Sequence, residues 1–282
     1  MWMLLMLMAA DPQKILVHGH RGARAASPEN TLPAFEYAIA QGVDVLELDL
    51  AVTRDNALVV SHDPEMNAVH CEPPPGSGDK PERIIRNMTL AEVKRWDCGS
   101  KGNPEFPNQK KIPGTRVPTL YEVFEATKNA KVEYNIETKI FRDKPQLTPS
   151  PAEFARLVFD AVRRARLDSR VIVQSFDNRT LIEMKKLAPN IRLSMLTPTS
   201  PLDAMKNWVT ACREAGAGII SPHHLTVTAG RVQEARAAGL QIVPWTANKP
   251  ADWERLVEAK VDAIITDDPA ALIAWLKARG LR

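Results

Sequence analysis

The sequence predicts an α/β protein folded as a (β/α)8 TIM barrel, with an insertion between the second and third barrel strands. Three observations predict it. Short β-like runs alternate with amphipathic stretches of helical length, the alternation repeats eight times, and the 282-residue chain is large enough for a barrel of about 250 residues with additions. Strands separated by helices must run parallel, because each crossover returns the chain to the end of the sheet where the last strand began.

The first strand is expected over residues 15–19, followed by a helix over 32–41 that Thr31 can cap and Gly42 can close. The second strand covers 43–52. Residues 64–116 then break the alternation with Pro73-Pro74-Pro75-Gly76, further Pro, Gly and charged residues, and a single helical piece near 90–96. A stretch of this length without regular structure is functional or disordered, and its place in the chain puts it over one end of the barrel. A helix over 120–128 restores the pattern. The remaining strands are expected at 132–138, 171–175, 191–196, 218–221, 241–245 and 263–266, each a short apolar run rich in β-branched residues. Helices at 151–165, 178–188, 202–215, 229–238, 251–259 and 270–278 repeat apolar residues every three to four positions, and Gly239 ends one of them.

Residues 1–10, MWMLLMLMAA, stand outside this scheme. The stretch is too short to span a bilayer. It has the apolar core and small-residue end of a secretory signal without the basic leading region, so two readings stay open: an exported protein, or a cytoplasmic one with an irregular start. Residues 11–282 are read as one catalytic domain.

Bulk composition limits the partners. With 37 basic and 34 acidic residues the net charge is +3, and no basic run provides the footprint of a nucleic-acid binder. No segment calls for stable membrane insertion, and the sequence is silent on oligomeric state. Cys71, Cys98 and Cys212 lack a CxxC arrangement and read as incidental thiols, although Cys71 and Cys98 flank a Pro/Gly-rich loop that they could close in an exported protein.

Chemistry concentrates at the strand ends. Residues two apart on a strand share a face, so Glu47 projects with Asp49 and Glu137 with Lys139. Carboxylates crowded into a low-dielectric space repel unless a cation neutralises them, and hard oxygen ligands favour Ca²⁺ or Mg²⁺ over a soft metal. His20 and Arg21 end the first strand, Gln174 the fourth and Trp245 the seventh; in a parallel barrel these ends meet at one rim, where barrel active sites form. Imidazole suits proton transfer near neutrality, which makes His20 and His62 the candidate acid and base.

The stretch HGHRGARAASPENTLPAFEYAIAQGVDVLELDLAVTRDNALVVSHDP resembles the signature of the glycerophosphodiester phosphodiesterase family. VPTLYEVF, NIETK, VQSF, PWTAN and DAIITDDP extend the likeness in order to the C-terminus. The resemblance implies hydrolysis of a small glycerophosphodiester to glycerol 3-phosphate and an alcohol, with one divalent cation. It implies Glu47, Asp49 and Glu137 as metal ligands, His20 and His62 as the acid–base pair, and Arg21 and Lys139 beside the phosphate. Trp245 is expected to hold the glycerol carbons on its flat face. Gln174 and Asn30 either orient phosphate or metal ligands or fix loops, and Glu29 partners a histidine or Arg21. Asp267 is expected to cap the final helix, and His18, His70, His223 and His224 to be structural or surface residues.

Two other classes fit less well. A barrel enzyme acting on lipid headgroups, of the phospholipase D or sphingomyelinase D kind, calls for apolar rim loops, whereas this insertion is mostly Pro, Lys, Glu and Asn. A catalytically silent binding barrel calls for a lost histidine or carboxylate, and every one is present.

Overall fold

The computed structural model describes residues 14–198 and 207–282. Its strands are β1 (Leu16–Gly19), β2 (Val45–Val52), β3 (Leu58–Val60), β4 (Glu133–Thr138), β5 (Val171–Ser175), β6 (Arg192–Leu196), β7 (Ile219–Ser221), β8 (Gln241–Ile242) and β9 (Ala263–Thr266). Its α-helices are α1 (Leu32–Gln41), α2 (Leu90–Val93), α3 (Leu120–Thr127), α4 (Pro151–Ala165), α5 (Asn178–Leu187), α6 (Trp208–Glu214), α7 (Ala229–Ala237), α8 (Pro250–Glu258) and α9 (Pro269–Lys277).

Eight of these strands run parallel in the order β8-β7-β6-β5-β4-β2-β1-β9. Backbone bonds from Asp262 N to Ile242 O and from Ile265 N to Pro244 O, both 3.0 Å, join β8 to β9 across the remaining seam. The expected barrel is therefore present. Strand β8 is shorter than the expected 241–245 because Pro244 has no N–H to give to a ladder. The first part of the helix expected over 202–215 falls outside the described residues, as do residues 1–10.

Two apolar layers hold the barrel. Outward-facing Leu46, Leu48 and Leu50 of β2 pack with helix residues such as Phe35, Phe124 and Phe154 in the main core. Inside, Ile172, Ile219, Val243, Ala263 and Ile265 fill the barrel and leave its upper end to polar groups. Strand alternation produces both layers, since the same β2 that sends leucines outward sends Glu47 and Asp49 inward.

Strand β3 is not among the expected elements, and it changes the topology near the site. Chain leaving β2 turns back at Asn56, whose φ of 62° is left-handed, and β3 pairs antiparallel with β2 in the register Leu50↔Val60. A three-residue run has too little periodicity to be read from sequence. The return brings Ser61 N to within 3.0 Å of Asp49 O, so His62 stands beside the metal-ligand candidates despite twelve residues of intervening chain.

The insertion is an ordered cap over a second small core, in which its Met66, Ile85, Val93 and Trp96 are buried with Val59 of β3 and with Val117. Thr89 and Glu92 form a reciprocal capping box at α2. Cys71 and Cys98 are joined as a disulfide, which corrects the reading of incidental thiols; Cys212 is free and buried. Gly42 and Gly239 close their helices with φ of 90° and 76° as expected. Thr31 precedes α1 without capping it, because its hydroxyl donates to Pro28 O instead. Among the described residues no helix is long and apolar enough to cross a membrane.

Candidate active site

The turn after β1 sets the floor of the site. Arg21 and Gly22 take φ of 50° and 85°, so the chain doubles back sharply and Arg21 N donates to Glu47 Oε2 at 2.9 Å. Only glycine fits at 22: a Cβ there would lie 2.7 Å from the Ala34 carbonyl carbon. A left-handed arginine is strained, and such strain is retained where the surrounding structure uses the side chain.

Glu47, Asp49 and Glu137 are buried, and each presents a carboxylate oxygen within 4.8 Å of the others. The register Asp49↔Glu137 between β2 and β4 makes the cluster, because inward positions on adjacent strands are neighbours. Two cations reach it: Lys139 Nζ lies 3.1 Å from Asp49 Oδ1 and 2.9 Å from Glu137 Oε1, and Arg21 Nε lies 3.3 Å from Asp49 Oδ2. Burial opposes ionisation of Asp49, yet Lys139, His62 and Arg21 hold its carboxyl well below the usual range. Burial and the Asp49 charge push Glu47 well above that range. Burial, opposed by Lys139 and reinforced by Asp49, pushes Glu137 up to about 7.

The salt-bridge network thus satisfies Asp49 and leaves Glu47 and Glu137 short of positive charge. That is the condition a divalent cation would relieve, and the all-oxygen donor set suits a hard one. Gln174 Nε2 donates to Glu47 Oε1 at 2.8 Å, and Asn30 Nδ2 to Asp49 Oδ2 at 3.0 Å, which fixes the orientation of both carboxylates.

Each candidate histidine leans on an aspartate. His20 Nδ1 lies 2.5 Å from Asp267 Oδ1, and Asn248 Nδ2 secures the other carboxylate oxygen at 2.6 Å. His62 Nδ1 lies 2.8 Å from Asp63 Oδ1, with Asn67 Nδ2 on Asp63 Oδ2 at 2.5 Å. Burial opposes ionisation of Asp267, but His20 holds its carboxyl low; the His62 hydrogen bond holds Asp63 at about 2. Both carboxylates accept only, so each imidazole donates from Nδ1 and its Nε2 is the unprotonated nitrogen of the neutral ring. His20 Nε2 is 4.0 Å from Glu47 Oε2.

Asp267 therefore does not cap the last helix. Asp268 does, through its bond from Ala271 N.

One cavity of about 250 Å³ receives His20, Arg21, Glu47, His62, Glu137, Lys139, Gln174 and Trp245. Arg24 and Phe176, absent from the sequence reading, line it too. Opposite the charged groups, Trp245 and Phe176 meet edge to face with centroids 5.4 Å apart, and Trp245 Nε1 is tied to Ser221 O at 3.0 Å. Glu29 and Asn30 do not line this cavity but a smaller one under the insertion. There Glu29 bonds Arg21 at 2.6 Å and Arg24 at 2.5 Å, an arrangement that buttresses the two cations from outside the larger cavity. His18 is enclosed in the barrel beside Asn135, where burial lowers its pKa to about 3.

The sequence profile of the glycerophosphoryl diester phosphodiesterase family matches residues 20–271. The chain belongs to this family. The matched span includes all eight cavity residues anticipated above, and the chain is an enzyme of the phosphodiester hydrolase class. A glycerophosphodiester phosphodiesterase of Caldanaerobacter subterraneus is 33% identical, with 95% of this chain and 100% of that one covered. One from Bacillus subtilis is 30% identical, with 92% and 85% covered. A crystal structure from Silicibacter pomeroyi bearing the family name superposes with a TM-score of 0.87 at 32% identity, covering 95% of each chain. A phosphodiesterase of Oleispira antarctica crystallised with sn-glycerol-3-phosphate shares the fold at a TM-score of 0.77 and 22% identity, covering 94% of this chain and 97% of that one.

Proposed function

We propose that the chain hydrolyses water-borne glycerophosphodiesters to glycerol 3-phosphate and an alcohol, with a divalent cation and with His20 and His62 as the acid–base pair. The observation that carries this reading is the meeting of two aspartate-backed imidazoles at one cavity with a three-carboxylate cluster, of which Glu47 and Glu137 line that cavity and Asp49 lies buried behind them. The Caldanaerobacter and Bacillus relatives bear the name of the activity, which supports the substrate class.

Glu47, Asp49 and Glu137 would hold the cation, Ca²⁺ or Mg²⁺, which when bound supplies Lewis-acid charge to a nonbridging phosphate oxygen. Arg21 and Lys139 add fixed positive charge beside the same group, in a cavity where water competes poorly. One imidazole Nε2 takes a proton from the nucleophile, either water or the adjacent glycerol hydroxyl, as the new P–O bond forms, and the other gives a proton to the alcohol oxygen as its P–O bond breaks. If the glycerol hydroxyl attacks, water then opens the resulting cyclic phosphate to glycerol 3-phosphate with the same pair exchanging roles. Trp245 and Phe176 offer carbon-facing surface to the glycerol backbone and shield that side from solvent.

Of the two locations, the Cys71–Cys98 bond favours the exported one, since disulfides persist in oxidising compartments. The test of function is release of glycerol 3-phosphate from several glycerophosphodiesters, with chelator and with each ion restored in turn. Turnover is expected to need the ion, and His20→Ala and His62→Ala each to lower it about a hundredfold. Activity indifferent to chelation, or near-normal turnover in either variant, overturns the reading.

A further inference from the structure

His20 and His62 differ in what holds them. The His20 partner Asp267 and its support Asn248 follow barrel strands, whereas the support of His62 lies wholly in the insertion. Asn67 is the centre of that support. Its Nδ2 donates to Asp63 Oδ2 at 2.5 Å, and its Oδ1 accepts from Val69 N at 2.8 Å. Its backbone carbonyl accepts from His70 N at 3.1 Å and from Cys71 N at 2.8 Å, so Asn67 opens a turn that ends at Cys71.

Cys71 is bonded to Cys98. The far side of that bond is firmly fixed. Glu72 and Asp97 exchange backbone bonds of 2.6 and 3.1 Å, Cys98 N donates to Thr115 O at 2.8 Å, and the Asp97 carboxylate accepts from Gly99 N at 2.9 Å and Gly114 N at 2.7 Å. A continuous path of covalent and hydrogen bonds thus runs from the insertion core through Cys98, Cys71, Asn67 and Asp63 to the imidazole. The need for such a path is physical. The His62 and Asp63 side chains retain 36% and 34% of their exposure, so solvent competes for the Asp63 oxygens and packing alone does not select one rotamer for either residue.

We propose that Asn67 is a positioning residue for His62, and that the Cys71–Cys98 bond holds Asn67 in register so that the imidazole stays aimed into the substrate cavity. The proposal rests on the catalytic role given to His62 above. Without Asn67 the Asp63 carboxylate turns towards water and Nδ1 loses its fixed acceptor; without the disulfide the turn carrying Asn67 loosens to the same effect. A crosslink that only stabilised the fold would lower the melting temperature and leave kcat of the folded enzyme alone.

Steady-state kinetics on a glycerophosphodiester separate these cases, using Asn67→Ala, the pair Cys71→Ala with Cys98→Ala, and the triple variant, each checked for folding by circular dichroism. Asn67→Ala is expected to lower kcat about tenfold with KM little changed, in the range found when the partner of a functional histidine is removed. The cysteine pair is expected to lower kcat in the same direction, and the triple variant to be no slower than Asn67→Ala, because losses along one path do not multiply. Wild-type kcat in Asn67→Ala or in the folded cysteine pair, or a triple variant slower by the product of the two effects, overturns the proposal. If the cysteine pair does not fold, kcat of the wild-type protein before and after thiol reduction of the Cys71–Cys98 bond replaces it, with an unchanged kcat overturning the role of the bond. An inactive wild-type protein instead sinks the function itself, so the two failures are distinguishable.

Discussion

Asp267 Oδ1 sits 2.5 Å from His20 Nδ1, across 247 residues of sequence. The contact exists because β1 pairs with β9 in the register Gly19↔Thr266, which sets the residues that follow each strand side by side. A carboxylate in this position fixes the imidazole tautomer and, in the proposed mechanism, would stabilise the imidazolium formed if Nε2 took up a proton.

Asp267→Asn keeps the shape and removes the charge. The amide side chain no longer guarantees an acceptor at Nδ1, so the expected result is a fall in kcat of about 10- to 100-fold with KM within a few-fold of normal. Steady-state kinetics check it, and normal kcat would mean that His20 needs no carboxylate. Asn248→Ala, one bond further out, is expected to give a smaller loss in the same direction.

The crowded carboxylates predict a specific pH dependence for cation binding. Glu137, pushed up to about 7 by burial and by Asp49, must lose its proton to ligate, so affinity falls as pH drops below 7. Titration calorimetry in buffers of different ionisation enthalpy should register proton release on binding at pH 6. In the metal-free protein the sign for stability is the reverse of the usual carboxylate case. The folded pKa exceeds the unfolded value of 4.5, so between 4.5 and 7 the folded state binds the extra proton and stability declines as pH rises. The gain in melting temperature on adding Ca²⁺ or Mg²⁺ should therefore be larger at pH 8 than at pH 6; an equal gain would show that Glu137 is not a ligand.

How much of the site the sequence carries depends on whether a contact is local. Glu47 with Asp49, and Glu137 with Lys139, are legible because strand periodicity alone puts each pair on one side, and the barrel then brings the pairs together. Asp267 is not legible as a histidine partner, since that needs the closing register of the barrel. Its neighbour was within reach: Pro269 opens α9, and the residue before a first-turn proline is the cap, which is Asp268. The hairpin that returns His62, and the pairing of Cys71 with Cys98, depend on tertiary packing of short segments that have no period of their own. Glu29 was legible as a partner of Arg21, but only the structure shows it outside the larger cavity.

Asp177 provides an acid-stability marker away from the chemistry. It caps α5 through Arg179 N at 3.0 Å and pairs with Arg179 at 2.6 Å and Arg142 at 3.1 Å. Burial opposes ionisation, but these partners hold the carboxyl at about 2, below its unfolded value of 3.8. The stabilisation is therefore complete above 3.8 and is lost as pH falls through 2. Asp177→Ala is expected to cost about 1 kcal/mol at neutral pH, typical of a lost N-cap, with little effect on turnover. Its stability deficit relative to wild type, followed by denaturant titration, should shrink as pH approaches 2; a deficit constant with pH would assign the loss to packing instead.

Gly22→Ala tests whether the turn after β1 couples fold to site. The new methyl would stand 2.7 Å from the Ala34 carbonyl carbon and 2.9 Å from its Cβ, and helix backbone cannot yield as the end of a flexible side chain can. The φ of 85° adds a backbone penalty for any residue with a Cβ, so a loss of more than about 1 kcal/mol is expected. Relief requires either α1 to move outward or the turn to unwind. Unwinding draws Arg21 N away from Glu47 Oε2, which removes a hydrogen bond from the ionised form of a carboxylate that burial already pushes towards protonation. Cation affinity should then fall together with stability. A variant that melts early yet binds the cation normally would show that α1 had moved and the turn had held.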